Sequence, residues 1–273
     1  MKITNIEIRM CRHANQVMKD SEMRDGKKSD LEFLVITFHT DEGLTSSTFG
    51  FAGRGAKMAG EIANSIFKPF FIGRDPLYRE KHWHEYRMAD RWWNHAPIYS
   101  YGPFDINCWL LSSLQANQPL YKYIGAYRDK VPIYGSSLVL DSPEAYAKEA
   151  CEYKEKGFQA YKLHPPGNYE FDLDAHKKVR EAVGKGFKLM SDPVAPYTFE
   201  EALRFGRELE KLNYYWYEEP LFDENFHNLR ELTRILDIPI IGTEVISKHP
   251  YSVAECISSR VVDMVRADVS WSG

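Results

Sequence analysis

The sequence predicts an α/β protein in which a smaller α+β region precedes a run of parallel β/α units. Three observations carry this prediction. Apolar and polar residues alternate at the N-terminus. Near residue 131 the rhythm changes, and short β-rich runs begin to alternate with amphipathic helices. Three successive β-rich runs then end in an acid. The predicted division is 1–130 and 131–273.

In the first region Ile6, Ile8 and Met10 alternate with polar residues, as in a half-buried strand. A second strand over 33–38 runs into Asp41-Glu42-Gly43, a turn signal, and the stretch to Phe51 completes a small antiparallel sheet. Helical periodicity follows over 57–71, 76–93 and 105–125. In the second region strands are predicted at 131–136, 160–164, 188–192, 214–218, 239–244 and 264–269. Helices start near Pro143, Asp172, Thr198, Asp223 and His249. Ser142-Pro143, and Thr198 ahead of Glu200 and Glu201, are helix N-terminal signals.

Composition excludes several classes. The 35 basic and 39 acidic residues are evenly mixed, so no surface for nucleic acid or membrane is expected. No apolar run approaches the roughly 20 residues of a membrane helix. The N-terminus lacks the apolar segment of a signal peptide, so a cytoplasmic location is expected. The four cysteines are widely spaced and predict reduced, mostly buried thiols. His82 and His84 are two apart on a helical stretch and cannot form a metal pair on one face. No HExxH, Gly-rich phosphate loop or Gly-x-Ser-x-Gly is present. Trp92, Trp93, Tyr99 and Tyr101 read as packing between the two regions.

The acids are the informative feature. Asp192, Glu218 and Glu244 are separated by 26 and 26 residues, about one β/α unit each. Equal spacing places them at one height on adjacent strands, at the C-terminal ends where β/α barrels keep their active sites. Three converging carboxylates repel unless a divalent cation compensates, and hard oxygen ligands favour Mg²⁺. Strand periodicity groups Glu218 with Trp216, and Glu219 with Tyr217, without choosing between the two acids. Lys162 and His164 share one face at the end of the preceding strand. Lys162 lies in an otherwise apolar run; beside a cation its pKa would be lowered, and it could act as base or electrophile. Asp268 follows Glu244 by 24 residues on the last strand.

On these residues the chain resembles the enolase superfamily, in its mandelate racemase/muconate lactonizing enzyme-like branch, over essentially its whole length. The resemblance implies a capping domain over 1–130 and a catalytic (β/α)-barrel over 131–273. It implies Asp192, Glu218 and Glu244 as Mg²⁺ ligands, Glu218 being the first acid of Glu-Glu-Pro. Lys162 and His164 stand where the family carries Lys-x-Lys, with His164 replacing the second Lys. Asp268 matches an acid that pairs with a His on a following strand. Val194, two beyond the first ligand, departs from the polar residue common there, and 109–115 lacks the family's usual Asp and Lys. From residue 131 only 143 residues are present, against about 250 for a complete barrel. The resemblance therefore implies a barrel truncated after strand six, and a chain that alone is not a stable active enzyme.

The implied chemistry is Mg²⁺-dependent abstraction of the proton α to a carboxylate, through a metal-stabilised enolate. Lys162 is then electrophile or base, His164 the base on one face, and Asp268 the group that orients a His on the other. Dehydration of an acid sugar to a 2-keto-3-deoxy acid ranks first. Racemisation, epimerisation or lactone cycloisomerisation on the same scaffold ranks second, and a non-catalytic relative third. The expected partner is a small-molecule carboxylate, with 15–28 and 48–55 as specificity segments, in a homo-oligomer.

Overall fold

The computed structural model describes residues 1–19, 28–53, 55–90, 100–248 and 250–273. Trp92, Trp93 and Tyr99 lie outside these residues, as do parts of 15–28 and 48–55. The chain forms two compact units: residues 1–16, 30–130 and 268–273, and residues 17–29 and 131–267.

The first unit is built on strands β1 (Ile3–Lys19), β2 (Lys28–Thr40) and β3 (Thr45–Gly53), in that order across the sheet. β2 and β3 are antiparallel, with Val35 opposite Phe49 and Phe38 opposite Ser46. The Asp41-Glu42-Gly43 turn closes with Gly43 N–H donating to the Thr40 carbonyl at 3.2 Å. Gly43 sits at φ 77°, a region that glycine enters without a Cβ penalty. Alternation buries Leu34, Ile36 and Phe38 with Ile3 and Ile6. Their apolar partners come from the helical run 56–71 and the helices Arg79–Asp90 and Gly102–Gln115. Phe71 lies 5.7 Å from Phe38 and 5.5 Å from Phe104, ring centre to centre.

Four predicted elements of this unit change. β1 and β2 run longer than their apolar alternation, because strand pairing is made by the backbone and extends into polar sequence. The helical run 56–71 contains a π segment, Ala63–Phe67, just ahead of Pro69, which has no amide proton to continue the ladder. The helix expected over 105–125 ends at Gln115, because Asn117 turns left-handed (φ 51°) and Pro119 restarts a single turn, Leu120–Tyr123.

In the second unit six parallel strands pair in sequence order: β4 (Gly135–Ser136), β5 (Ala160–Leu163), β6 (Lys188–Ser191), β7 (Trp216–Glu218), β8 (Ile240–Gly242) and β9 (Met264–Val265). Sequential order is that of barrel staves; a doubly wound sheet reverses its order at a switch point. Tyr161, Leu163, Leu189, Tyr217 and Ile240 pack outward in one core with Ala175 and Val179 of helix Tyr169–Val183, and with Ala202, Phe205 and Leu209 of helix Phe199–Lys211. Period 2 then turns Lys162, Met190 and Trp216 to the opposite face. The predicted helix signals hold at Ser142, which accepts from Ala145 N–H, and at Thr198, which forms a capping box with Glu201.

The observed strands are shorter than predicted. The first keeps only Gly135–Ser136, since Pro132 cannot donate to a ladder. The helix expected to start at Asp223 starts at Phe226, capped by Asn225; Asp223 is drawn inward instead. The last strand ends at Val265, and Asp268 caps a one-turn helix, Val269–Ser272. Cys108 and Cys256 are buried, Cys11 and Cys151 partly exposed, and none is disulfide-bonded. Among the described residues no helix is long and apolar enough to cross a membrane.

Candidate active site

Parallel pairing aligns the strand ends. Lys162 stands opposite Met190, Ser191 opposite Tyr217, and Glu218 opposite Ile241. The residues just past those positions therefore converge on one rim of the second unit. There a chain of alternating charge forms. Lys162 Nζ donates to Asp192 Oδ2 at 2.7 Å and to Glu218 Oε2 at 3.0 Å, with all three side chains almost fully buried. Arg266 continues the chain. Its guanidinium donates to Glu218 Oε1, and to Glu244 Oε1 at 2.7 Å. Trp216 Nε1 adds a donor to Glu218 at 3.2 Å.

His164 borders the same group. Its Nδ1 is 2.8 Å from the Ser137 carbonyl oxygen, and its Nε2 is 2.9 Å from Asp192 Oδ2. A carbonyl and a carboxylate both only accept, so Nδ1 donates to Ser137 and Nε2 donates to Asp192. Ser137 Oγ also accepts from His164 N–H at 2.8 Å, which fixes the backbone at this position.

The electrostatics follow from these contacts. Burial pushes the Lys162 ammonium down, but Asp192 and Glu218 outweigh it and its pKa is raised. Two carboxylates flank Lys162 directly. Burial pushes Asp192 up, yet His164 and Lys162 hold it well below the usual carboxylate range. Burial raises Glu244, and the negative charges of Asp192 and Glu218 act with it against Arg266. Glu219, turned aside at φ 41°, is pushed up to about 9 by burial and then by Asp223 and the neighbouring acids. Its Oε1 has no hydrogen-bond partner.

Backbone strain gathers at the same rim. Val194, Ala195, Glu219 and Thr243 all have positive φ, although none is glycine. Two of them are β-branched, for which this region is a genuine outlier. Such strain persists only where surrounding contacts hold it, and it concentrates at functional sites.

Among the described residues no group of three or more His, Cys, Asp and Glu forms a ready cluster for a metal ion; Lys162 and Arg266 lie between the acids. The donor chemistry still fits a hard divalent cation. Asp192, Glu218 and Glu244 offer only oxygen, Asp192 Oδ1 is buried without a hydrogen-bond partner, and burial followed by neighbouring negative charge raises Glu244. Asp268 has a different setting. It groups with the first unit, and its Oδ1 accepts from Ser270 N–H at 2.8 Å and Ser270 Oγ at 2.6 Å.

Residues 145–273 match the family described as enolase C-terminal domain-like. On this match and on the relatives that follow, the chain is similar to the enolase superfamily. It is 30% identical to an arabinonate dehydratase of Saccharolobus solfataricus, over 82% of this chain and 63% of that enzyme. The match therefore spans a little under two thirds of that relative's length. It is 27% identical to an N-succinyl-L-Arg/Lys racemase of Bacillus cereus, over 80% of this chain and 60% of the racemase. A crystal structure of D-glucarate dehydratase from Agrobacterium tumefaciens, complexed with magnesium, superposes with a TM-score of 0.86 at 29% identity, covering all of this chain and 75% of that one. The enolase-superfamily relatives thus include both lyases and isomerases.

Two residues of this site belong to no sequence motif. Arg266 was legible in principle, since the strand-end rule that selects the acids applies equally to the strand that ends at Val265. Asp223 was masked by a false helix start. Its carboxylate accepts from the backbone N–H groups of Thr243 at 2.8 Å and Val245 at 3.0 Å.

Proposed function

We propose that the protein removes the proton α to a carboxylate and dehydrates an acid sugar to a 2-keto-3-deoxy acid. The observation that carries this reading is the Lys162 ammonium buried between Asp192 and Glu218 at the strand ends. The sugar-acid dehydratases among the relatives support the choice of substrate class. In this reading residues 1–130 cap the site and residues 131–273 carry it.

Asp192, Glu218 and Glu244 would hold Mg²⁺, which supplies, when bound, positive charge to stabilise a substrate carboxylate as its α-proton leaves. Lys162 binds the same carboxylate with its ammonium and orients the α-carbon. With Nδ1–H anchored on the Ser137 carbonyl, His164 takes the α-proton at Nε2 after that nitrogen has released its own proton to solvent and left its contact with Asp192. The resulting imidazolium returns a proton to the β-hydroxyl as the C–O bond breaks. Water leaves, and the enol product tautomerises to the 2-keto acid. Asp268, whose carboxylate is taken up by Ser270, is given no step in this scheme.

Because a barrel truncated after strand six is not expected to turn over by itself, the test is incubation of the protein carrying its whole barrel with Mg²⁺ and a panel of aldonic and aldaric acids in D₂O, followed by NMR. A 2-keto-3-deoxy product is expected for at least one acid. His164→Gln should lower its formation by about 10²- to 10⁴-fold. Deuterium at the α-carbon without keto acid would replace dehydration by isomerisation, the activity named for the Bacillus cereus relative. Neither product nor exchange, together with no Mg²⁺ binding, would leave the non-catalytic reading standing.

A further inference from the structure

Glu244 is delivered to the rim by an improbable backbone. Immediately before it, Thr243 sits at φ 79°, a conformation that a β-branched residue strongly resists. The turn that follows it, Val245–Lys248, is a single 3₁₀ turn with no stabilising length of its own. Some external contact must therefore hold this segment.

Asp223 supplies it. Its Oδ1 accepts from Thr243 N–H at 2.8 Å, and its Oδ2 from Val245 N–H at 3.0 Å and Ile246 N–H at 3.4 Å. These amides bracket Glu244 on both sides. The carboxylate is buried, so each bond works in a low-dielectric setting. The approach is close: a Cβ on Gly242 would come within 2.9 Å of Asp223 Oδ1. The clamp also reaches Arg266. Thr243 Oγ1 donates to the Arg266 carbonyl at 2.8 Å, and Arg266 N–H donates back to Thr243 Oγ1 at 3.1 Å. One buried acid thus holds the strained turn that presents Glu244 and positions the backbone of the arginine bridging Glu218 and Glu244.

We infer that Asp223 is a positioning residue of the site, setting divalent-cation affinity through Glu244 without touching the cation. This inference rests on the proposed reading of Glu244 as a ligand. The test is calorimetric Mg²⁺ titration of the purified protein and its Asp223→Ala, Asp223→Asn, Glu244→Gln and Asp223→Ala/Glu244→Gln variants. Asp223→Ala should weaken Mg²⁺ binding by about 10- to 100-fold, the usual effect of losing a group that orients a ligand. Asp223→Asn keeps one acceptor for Thr243 and should fall between wild type and Asp223→Ala, which covers the case in which alanine prevents folding. Glu224→Gln, at the exposed neighbouring position, should leave binding unchanged. The double variant separates positioning from general destabilisation. If Asp223 acts through Glu244, removing it in the Glu244→Gln background changes affinity little further. Additive losses, or wild-type affinity in both folded Asp223 variants, would overturn the positioning role while leaving the metal reading intact. No Mg²⁺ binding by the wild-type protein would overturn both.

Discussion

At the scale of single residues, the rim shows how carboxylates tolerate burial. Asp192 and Glu218 are almost inaccessible, and each is paired with a cation that is also buried or half-buried. Breaking such a pair from one side leaves a buried charge without a counterion, which is why Lys162 and Arg266 belong to the same unit of chemistry as the acids. A second buried titratable group lies behind the rim. His176 is fully enclosed, with Nδ1 2.6 Å from the Asp172 carbonyl oxygen and Nε2 2.8 Å from Ser191 Oγ. Burial lowers its pKa from 6.5 to about 4. The folded state thus resists a proton that the unfolded chain accepts. The stabilisation is present above pH 6.5 and is lost as pH falls toward about 4. The loss is on the order of 3 kcal/mol at most. Urea unfolding at pH 7 and pH 5 should show this decline in the wild type, and a clearly flatter dependence in His176→Gln whatever its absolute stability.

At the scale of elements, very short strands place the rim accurately because packing holds them. β4 has only two residues, and Gly135 lies directly against the Tyr153 ring. A Cβ at residue 135 would sit 2.5 to 2.8 Å from three ring carbons. That ring is itself wedged against Phe158 and Tyr161, with centres 5.0 and 5.6 Å away. Gly135→Ala should therefore lower stability by about 1–3 kcal/mol, the range for overpacking. Adding Tyr153→Leu should recover part of the loss, measurable as a shift in the urea midpoint. The same logic explains why strand periodicity could not choose between Glu218 and Glu219. Both follow from the same apolar run, but Ala195 N–H donates to the Glu219 carbonyl and Glu219 N–H to the Ile241 carbonyl, and the chain turns left-handed there. The side chain of Glu218 stays on the face of Trp216, within reach of Lys162 and Arg266.

At the scale of the whole molecule, the rim holds three candidate ligand carboxylates against two cations, besides the aside-turned Glu219. A divalent cation at that position binds the folded chain only, because the unfolded chain cannot gather acids spaced 26 residues apart. Mg²⁺ should therefore raise the melting temperature, by an amount that grows with the logarithm of its concentration. At 100 times the dissociation constant the stabilisation is about 2.7 kcal/mol. Excess EDTA should reverse it. A melting temperature insensitive to both would contradict metal binding at these acids.

The amino-acid sequence by itself determined five of the residues that gather at the rim. Their equal spacing, read with one strand and one helix per unit, placed Lys162, His164, Asp192, Glu218 and Glu244 at successive strand ends, and the structure brings them together there. Spacing works at that level because parallel β/α units repeat with nearly constant length. It failed for Asp268, where the strand stops early and the carboxylate caps a helix turn instead. It failed also for Asp223, which looks locally like a helix start. Only the tertiary structure decided these, along with the left-handed turns that aim each acid. The physical reason differs between them: Asp268 is captured by Ser270 two residues on once its strand has stopped, whereas Asp223 and the left-handed turns depend on backbone groups distant in sequence. Partners distant in sequence leave no trace in a periodicity, however strongly they hold the site.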